Sequence, residues 1–382
     1  MTADQPAADG EADDDPLSRL HDDHGAVRDD GGRIRHYGRP RRTHLAVRNG
    51  VGVVDGDEGV VVVTGEDRHE FVDDTVTTPV PREDGTGRYA LLLDPQGAVE
   101  TEMYVFDAAA SDRLLLLLPG DRVASLAEDW ASKVFVRDVS VRDATDEFHT
   151  FGVHGPKATE KLASVCDAAP PEEPLTFTRT ATRDAGVTVV AGEGLAGEES
   201  YHVVCTREDA PAVLETLLTS GLNAVPVGRD TWETLTLEAG TPLLEAELAG
   251  TLPNVAGLRA AFDLDKGCYV GQEVVSRVAN RGQPSRRLVG LRPETGPDAG
   301  AAVLLDDADG AETVGELTRA AHSPSLDAPV AFAYVPYDLD ATTLAVATDD
   351  GPVPAERVSL PFVEGSARSA RVPAYDDEPP VR

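Results

Sequence analysis

Short apolar runs and amphipathic stretches alternate along the first two thirds of the chain, a pattern that predicts strands interspersed with helices. The predicted strands of this region include Val60–Val63, Tyr89–Leu93, Val99–Phe106, Leu114–Leu118, Val134–Val141 and Phe148–Val153. The turn residues Asp94–Gly97 separate two of these runs, which predicts a β-hairpin. Helical spacing of apolar residues predicts helices over Asp121–Lys133 and Glu208–Ser220.

The composition of the sequence and the spacing of its apolar runs change near both ends, and these changes predict the domain boundaries. Residues 1–32 are rich in Asp, Gly and Ala, which is typical of a disordered acidic tail. Residues 44–286 carry the mixed pattern and are expected to form an α+β domain with two lobes. Residues 287–372 contain short strands separated by Gly, Pro and Asp turns, which predicts a separate all-β unit.

The charge is strongly acidic. There are 68 acidic and 34 basic residues, a net charge of −34, and all but four of the basic residues are arginine. This favours a protein adapted to high salt, in which carboxylates keep the surface hydrated; a GC-rich genome is the alternative reason for the arginines. The same charge argues against non-specific binding to nucleic acid or to an anionic membrane.

Targeting and cysteine patterns predict a cytoplasmic protein. The first residues have neither a basic start nor an apolar run, so no secretory signal is expected. The longest apolar stretch, Leu114–Pro119, is far too short to span a bilayer. Cys166, Cys205 and Cys268 are widely separated and form no CxxC pair, so we expect neither a disulfide framework nor a resident metal site.

The segment from Lys266 to Glu273, KGCYVGQE, combines a thiol, an ammonium group and hydrogen-bonding side chains within eight residues. It is the segment that most strongly indicates a functional site. Cys268 lies just before a predicted helix start, where the helix dipole stabilises a thiolate, and the charge of Lys266 is expected to add to this effect. Gln272 and Glu273 provide hydrogen-bonding groups at the rim of such a loop. The alternative is a buried structural cysteine.

This segment resembles the K-G-C-Y-x-G-Q-E signature of the YgfZ family, which belongs to the glycine-cleavage T-protein superfamily. Four weaker similarities to that superfamily lie in Leu91–Phe106, His154–Ala158, Leu235–Leu248 and Ser285–Glu294. The resemblance covers Leu45–Pro361. It implies a three-lobed cloverleaf, with two α+β lobes and a C-terminal β-barrel, around a channel that binds tetrahydrofolate.

The resemblance also implies candidate folate contacts, several of which differ from the T-protein pattern. The acidic pair that holds folate reads Thr101 and Glu102 here, and the loop that grips the pterin has Leu195 and His202 in place of its tyrosine and last glutamate. Trp232 replaces the arginine of the LEAG segment, where it is expected either to stack on a pterin or to pack in the core. The remaining candidate contacts are Tyr269, Gln272 and Glu273.

Three functions are compatible with these residues. The first is a YgfZ-type accessory protein that assists maturation or repair of iron–sulfur enzymes, with effects on tRNA modification, through Cys268 and Lys266. The second is a tetrahydrofolate-dependent aminomethyltransferase or demethylase, in which Glu102 orients the folate. The third is a non-catalytic folate-binding regulatory module. The sequence leaves open which of these applies, the client proteins, the folate form and the oligomeric state.

Overall fold

A computed structural model describes residues 15–307 and 310–375 of the chain. It has the expected α+β architecture, with two sheet-based lobes followed by a closed β-barrel. The chain enters through α1 (Pro16–Asp23), the short pair β1 (Val27–Arg28) and β2 (Ile34–His36), and α2 (Pro40–Asn49). Leu17 and His21 of α1 are buried, so this entry segment is folded onto the second lobe described below.

The first lobe is an antiparallel five-stranded sheet in the order β5-β6-β7-β4-β8. Its elements are β4 (Glu58–Thr64), α3 (Arg68–Asp73), β5 (Thr86–Leu93), β6 (Val99–Ala108), β7 (Arg113–Pro119), α4 (Gly120–Ser132) and β8 (Ser140–Asp143). The predicted hairpin is confirmed as β5 and β6. One face of the sheet packs under α3 and α4, where Trp130 is buried edge-on against Phe71.

The second lobe is a six-stranded sheet in the order β10-β11-β12-β9-β3-β13. Its elements are β3 (Gly52–Asp55), β9 (Phe148–His154), α5 (Ala158–Val165), β10 (Phe177–Thr182), β11 (Ala185–Ala191), β12 (Ser200–Thr206), α6 (Ala210–Thr219) and β13 (Val225–Val227). Helices α5 and α6 cover one face. Val190 of β11 joins a core cluster with Tyr89 and Tyr104 of the first lobe, so the sheets meet beside the hairpin.

The barrel follows two connecting helices, α7 (Arg229–Glu238) and α8 (Gln272–Arg281). Between them, Leu244–Leu248 form a π-type turn and Arg259–Ala261 a 3-10 turn. Six strands close in the order β14-β17-β16-β15-β18-β19. They are β14 (Arg286–Pro293), β15 (Ala302–Asp307), β16 (Gly310–Ser323), β17 (Ala328–Pro336), β18 (Thr343–Val346) and β19 (Val353–Val358).

After the barrel, residues 364–375 run back to the second lobe as an irregular segment with a turn at residues 370–371, which we call the C-terminal segment. The amide of Ala367 donates to Gly197 O at 3.3 Å, and that of Ala370 to Glu193 O at 3.0 Å. The amide of Ala374 donates to Gly257 O at 2.9 Å. The segment is therefore fixed to the second lobe and to the connection between α7 and α8.

Two sequence expectations are corrected. Residues 15–32 form α1 and β1 instead of continuing a disordered tail, because the apolar face of α1 has a partner in α6 that composition does not reveal; residues 1–14 of that tail lie outside the described range. The strand expected over Val134–Val141 is only β8, and Phe135 and Val136 before it are exposed. Within the described ranges, no helix is long and apolar enough to cross a membrane.

Candidate functional site

The hairpin of the first lobe places two buried tyrosines beside one partly buried carboxylate. Tyr89 of β5 pairs with Tyr104 of β6, and Glu102 lies two residues before Tyr104 on the same face. The Tyr89 hydroxyl donates to Glu102 Oε2 at 2.6 Å. Burial raises the pKa of both tyrosines well above the usual value, so they act as neutral hydrogen-bonding groups.

Arg371 of the C-terminal segment completes this arrangement. Its Nη1 donates to Glu102 Oε2 at 2.7 Å, and its Nη2 donates to the Tyr104 hydroxyl at 2.7 Å. The guanidinium lies over the Tyr89 ring, 4.0 Å from the centroid. Only 4% of the arginine side chain is exposed. Charge, hydrogen bonds and a cation–π contact therefore fix Glu102 in a water-poor environment.

His202 of β12 approaches the same cluster from the second lobe. Its ring lies 5.5 Å from the Tyr104 ring, and its Nδ1 is 3.6 Å from Glu58 Oε2. Burial acts to lower the pKa of His202, but the charge and hydrogen bonding of Glu58 together raise this pKa above the usual value. Burial acts to raise the pKa of Glu58, but the charge and hydrogen bonding of His202, with the charge of Arg371, together lower it. Each partner therefore favours the charged form of the other.

A third carboxylate, that of the half-buried Glu193, follows β11. Burial raises its pKa, although Arg371, Tyr104 and His202 act in the opposite direction. Its Oε2 is inaccessible to solvent and has no hydrogen-bond partner among the described residues. We refer to these seven side chains together as the polar cluster: Glu58, Tyr89, Glu102, Tyr104, Glu193, His202 and Arg371.

Trp232 and His154 pack beside each other, with ring centroids 4.7 Å apart. His154 ends β9 and is buried, and its Nδ1 has no partner among the described residues. Burial, with a smaller effect of His202, lowers the pKa of His154 to about 3. Trp232 packs against a small apolar cluster that contains Val47 and Leu235. Trp232 thus packs in the core, next to a histidine whose pKa is lowered in part by His202 of the polar cluster.

A buried ion network connects α2, the second lobe, α7, the barrel and the C-terminal segment. Arg48 of α2 donates to Glu198 Oε1 at 2.9 Å and to Glu238 Oε2 at 2.8 Å. Glu238 also accepts from Ser323 and Ser325 near the turn between β16 and β17, and Glu198 accepts from Ser366 of the C-terminal segment. The LEAG segment therefore supplies, through Glu238, a junction of α2, α7 and the barrel.

The loop before α8 lies at the hairpin turn. Cys268 is exposed. Lys266 is buried: its ammonium donates to the carbonyls of Asp73 and Val76 and lies 3.3 Å from the Asp73 carboxylate. Gly271 has φ of +79°, and a β-carbon there would meet Asp94 O at 2.7 Å, so only glycine fits this contact with the turn. In the contacts described, Lys266 fixes the loop to α3.

Of the other loop candidates, Gln272 and Glu273 make their contacts within the loop and α8, whereas Tyr269 packs beside the polar cluster. Gln272 donates to Lys266 O at 3.1 Å and so closes the loop on itself. Glu273 is exposed and pairs with Arg277 one turn along α8. Tyr269 is buried in the core cluster that contains Tyr89 and Tyr104, where burial raises its pKa to about 12. The structure thus brings Glu102 and His202 together, with Tyr269 in the adjoining core.

Sequence reasoning missed five members of the polar cluster: Glu58, Tyr89, Tyr104, Glu193 and Arg371. The two tyrosines share the hairpin with Glu102, and the pairing of β5 with β6 was a usable signal for them. Arg371 lies 269 residues from Glu102 along the chain, and local pattern gives no signal for that contact.

The chain matches two family descriptions: the GCVT N-terminal domain over residues 36–266 and the glycine cleavage T-protein C-terminal barrel domain over residues 286–364. It is 32% identical to an aminomethyltransferase of Saccharopolyspora erythraea over 375 residues, which are 92% of this chain and 98% of the relative. It is 30% identical to an aminomethyltransferase of Bacillus licheniformis, covering 84% of this chain and 90% of the relative.

Among solved structures, the fold matches glycine cleavage system aminomethyltransferase T from Bartonella henselae with a TM-score of 0.80. The sequences are 25% identical over 93% of this chain and 98% of the other. Fold and site thus define a three-lobed α+β protein with a terminal barrel and a buried polar centre. The chain belongs to the glycine cleavage T-protein family, whose aminomethyltransferases use tetrahydrofolate. The superfamily expected from the sequence is confirmed; membership of the YgfZ type stays a prediction.

Proposed function

We propose that this protein binds tetrahydrofolate at the polar cluster and transfers to it the carbon of a carrier-bound aminomethyl group, with release of ammonia and of the carrier. The observation that carries the proposal is the partly buried Glu102, which accepts hydrogen bonds from the buried Tyr89 and Arg371. Similarity to aminomethyltransferases over nearly the whole chain supports the same reaction type.

The side chains of the cluster suit a folate. A pterin is a flat ring with a hydrogen-bonding edge, and the site offers tyrosine rings together with buried acceptors and a buried cation. The solvent-inaccessible Glu193 Oε2 has acceptor capacity that no described residue uses. A ligand with N–H donors would satisfy it, because buried polar atoms in native proteins are normally paired.

Glu102 is the group that we assign to orient the folate amine. Its carboxylate accepts from Tyr89 and Arg371 through Oε2, and its second oxygen is not needed for either bond. A carboxylate fixed in this way can accept a hydrogen bond from the amine at little reorganisation cost. Arg371 closes the site from the C-terminal segment, so its position limits the access of water.

The test compares Glu102→Gln with Glu100→Gln, which makes the same change at an exposed position of the same strand. We expect the wild type and the Glu100 variant to form methylene-tetrahydrofolate from an aminomethyl donor. The Glu102 variant should lose at least 10-fold in rate, the usual scale for a lost charge-assisted hydrogen bond. Equal rates in both variants would reject the role of Glu102. Binding without product in the wild type would leave the non-catalytic folate-binding module.

A second candidate is the YgfZ-type accessory function, favoured by the exposure of Cys268 within the KGCYVGQE loop. The other thiols are hindered, since burial raises the pKa of Cys166 to about 11 and that of Cys205 to about 12. A disulfide reagent at neutral pH should therefore modify one thiol rapidly, and Cys268→Ala should abolish this rapid phase of modification.

Complementation of a YgfZ-deficient strain tests the accessory role itself. Rescue by the wild type but not by Cys268→Ala supports that role, and equal rescue by both rejects a role for the thiol.

A further inference from the structure

One carboxylate oxygen of the polar cluster is both inaccessible to solvent and unpaired among the described residues. Arg371 and Tyr89 engage Glu102, and His202 engages Glu58, whereas Glu193 Oε2 has no partner among the described residues. An unpaired buried carboxylate oxygen costs free energy, and a native protein tolerates it where a ligand or solvent group supplies the missing donor.

The backbone holds Glu193 in place. Its carbonyl accepts from Ala370 at 3.0 Å, and the amide of the next residue, Gly194, donates to Ser200 Oγ at 3.0 Å. Gly194 has φ of +69°, and a β-carbon there would meet Arg368 O at 2.9 Å, so the turn depends on glycine. The carboxylate is thus held on a fixed turn between β11 and the C-terminal segment.

His202 cannot replace a carboxylate at the edge of a pterin. Its Nδ1 lies 3.6 Å from Glu58 Oε2, and an imidazole has at most one acceptor nitrogen in any protonation state. The 2-amino group and the N3–H of a pterin are adjacent donors, and they need a carboxylate in the way that an arginine fork does. His202, at the position of the family glutamate, therefore cannot accept from both donors.

We propose that Glu193 accepts hydrogen bonds from the 2-amino and N3–H edge of the pterin ring, and that His202 serves as a donor beside it. This inference rests on the proposed binding of tetrahydrofolate to the polar cluster. It makes Glu193 a specificity-determining residue for the 2-aminopterin ring, in a turn two residues beyond β11 and not on the following strand.

The experiment measures the dissociation constants of two ligands by calorimetry: tetrahydrofolate, and an analogue in which hydrogen replaces the 2-amino group. Wild type is compared with Glu193→Gln and with the control Glu199→Gln, the same change in the same loop at a carboxylate that instead accepts from Thr159. We expect Glu193→Gln to raise the dissociation constant of tetrahydrofolate roughly 10- to 100-fold but that of the analogue less than 3-fold. The control should bind both ligands as wild type does.

Each result has a distinct meaning. The ratio of the two dissociation constants within one variant does not depend on the fraction of protein that is folded. If wild type binds tetrahydrofolate and Glu193→Gln keeps the same ratio, the assignment of Glu193 is wrong while the proposed function stands. If wild type binds neither ligand, the proposed function fails and the inference fails with it.

Discussion

At the scale of single residues, two neighbouring histidines titrate in opposite directions because their environments differ. His154 is buried beside Trp232, and no carboxylate of the described residues pairs with it, so burial lowers its pKa to about 3. His202 is buried as deeply but faces Glu58, and its pKa is raised. His154 therefore stays neutral over the pH range in which His202 changes charge, and the two contribute to stability with opposite pH dependence.

The substitution His154→Gln tests this difference. In the unfolded chain a histidine binds a proton below about pH 6.5, whereas folded His154 remains neutral to about pH 3, so stability is lost as pH falls through this window. The loss amounts to about 2 kcal/mol at pH 5. Urea unfolding measures the free energy of unfolding at pH 7.5 and at pH 5. The decrease between these two pH values should be smaller by that amount in His154→Gln than in wild type. The exposed His322→Gln serves as the control, and an equal loss in all three proteins would contradict the assignment.

At the scale of elements, the C-terminal segment connects the site to the rest of the fold. Arg371 reaches Glu102, and Ser366 donates to Glu198, which is also bound by Arg48. Gly365 allows the segment to approach, since a β-carbon there would lie 1.9 Å from Gly197 O. The geometry of the site therefore depends on a stretch of about a dozen residues with no helix or strand of its own.

The substitution Gly365→Ala should loosen this segment and leave the sheets intact. The clash is with backbone, so the segment has to shift, and Arg371 shifts with it. We expect hydrogen exchange at the amides of Ala367 and Ala370 to accelerate at least 10-fold, and affinity for tetrahydrofolate to fall. Gly296→Ala, where a β-carbon meets nothing within 4 Å, is the matched control. Unchanged exchange in Gly365→Ala would show that the segment adapts to the methyl group.

At the scale of the whole molecule, charge is distributed unevenly. The segment from Arg33 to Arg42 contains five arginines and no carboxylate, in a chain with a net charge of −34. The fold neutralises much of this stretch, since Arg33, Arg35 and Arg41 pair with Asp29, Asp230 and Asp327. Most of the excess negative charge elsewhere has no such counterpart, and mutual repulsion therefore opposes the compact state.

Salt should stabilise the protein by screening this repulsion. The Debye length falls from about 10 Å at 0.1 M to about 3 Å at 1 M. We expect the melting temperature to rise by at least a few degrees as KCl increases over this range, as measured by differential scanning calorimetry. Sucrose at matched osmolality separates screening from general exclusion of solute. A melting temperature independent of KCl would contradict salt adaptation.

The sequence predicted the parts of the fold whose signal is local. The hairpin of β5 and β6 follows from two apolar runs around a turn, and the barrel from short strands separated by turn residues. It misjudged features that depend on distant partners. Asp230 and Glu233 have the spacing of a helix-capping box, but α7 begins at Arg229, which binds Glu233, while Asp230 pairs with Arg35. Lys266 was expected to influence Cys268, and its ammonium instead reaches the carbonyls of Asp73 and Val76.

By itself, the sequence determined the family, the order of the lobes and the location of Glu102 and His202 as candidates, because motifs and periodicity are properties of neighbouring residues. Only the tertiary structure decided which charges meet. Glu102 comes from the first lobe, His202 and Glu193 from the second, and Arg371 from the chain after the barrel. Burial at that junction sets the protonation of each group, since the cost of a buried charge depends on partners that folding alone brings within reach.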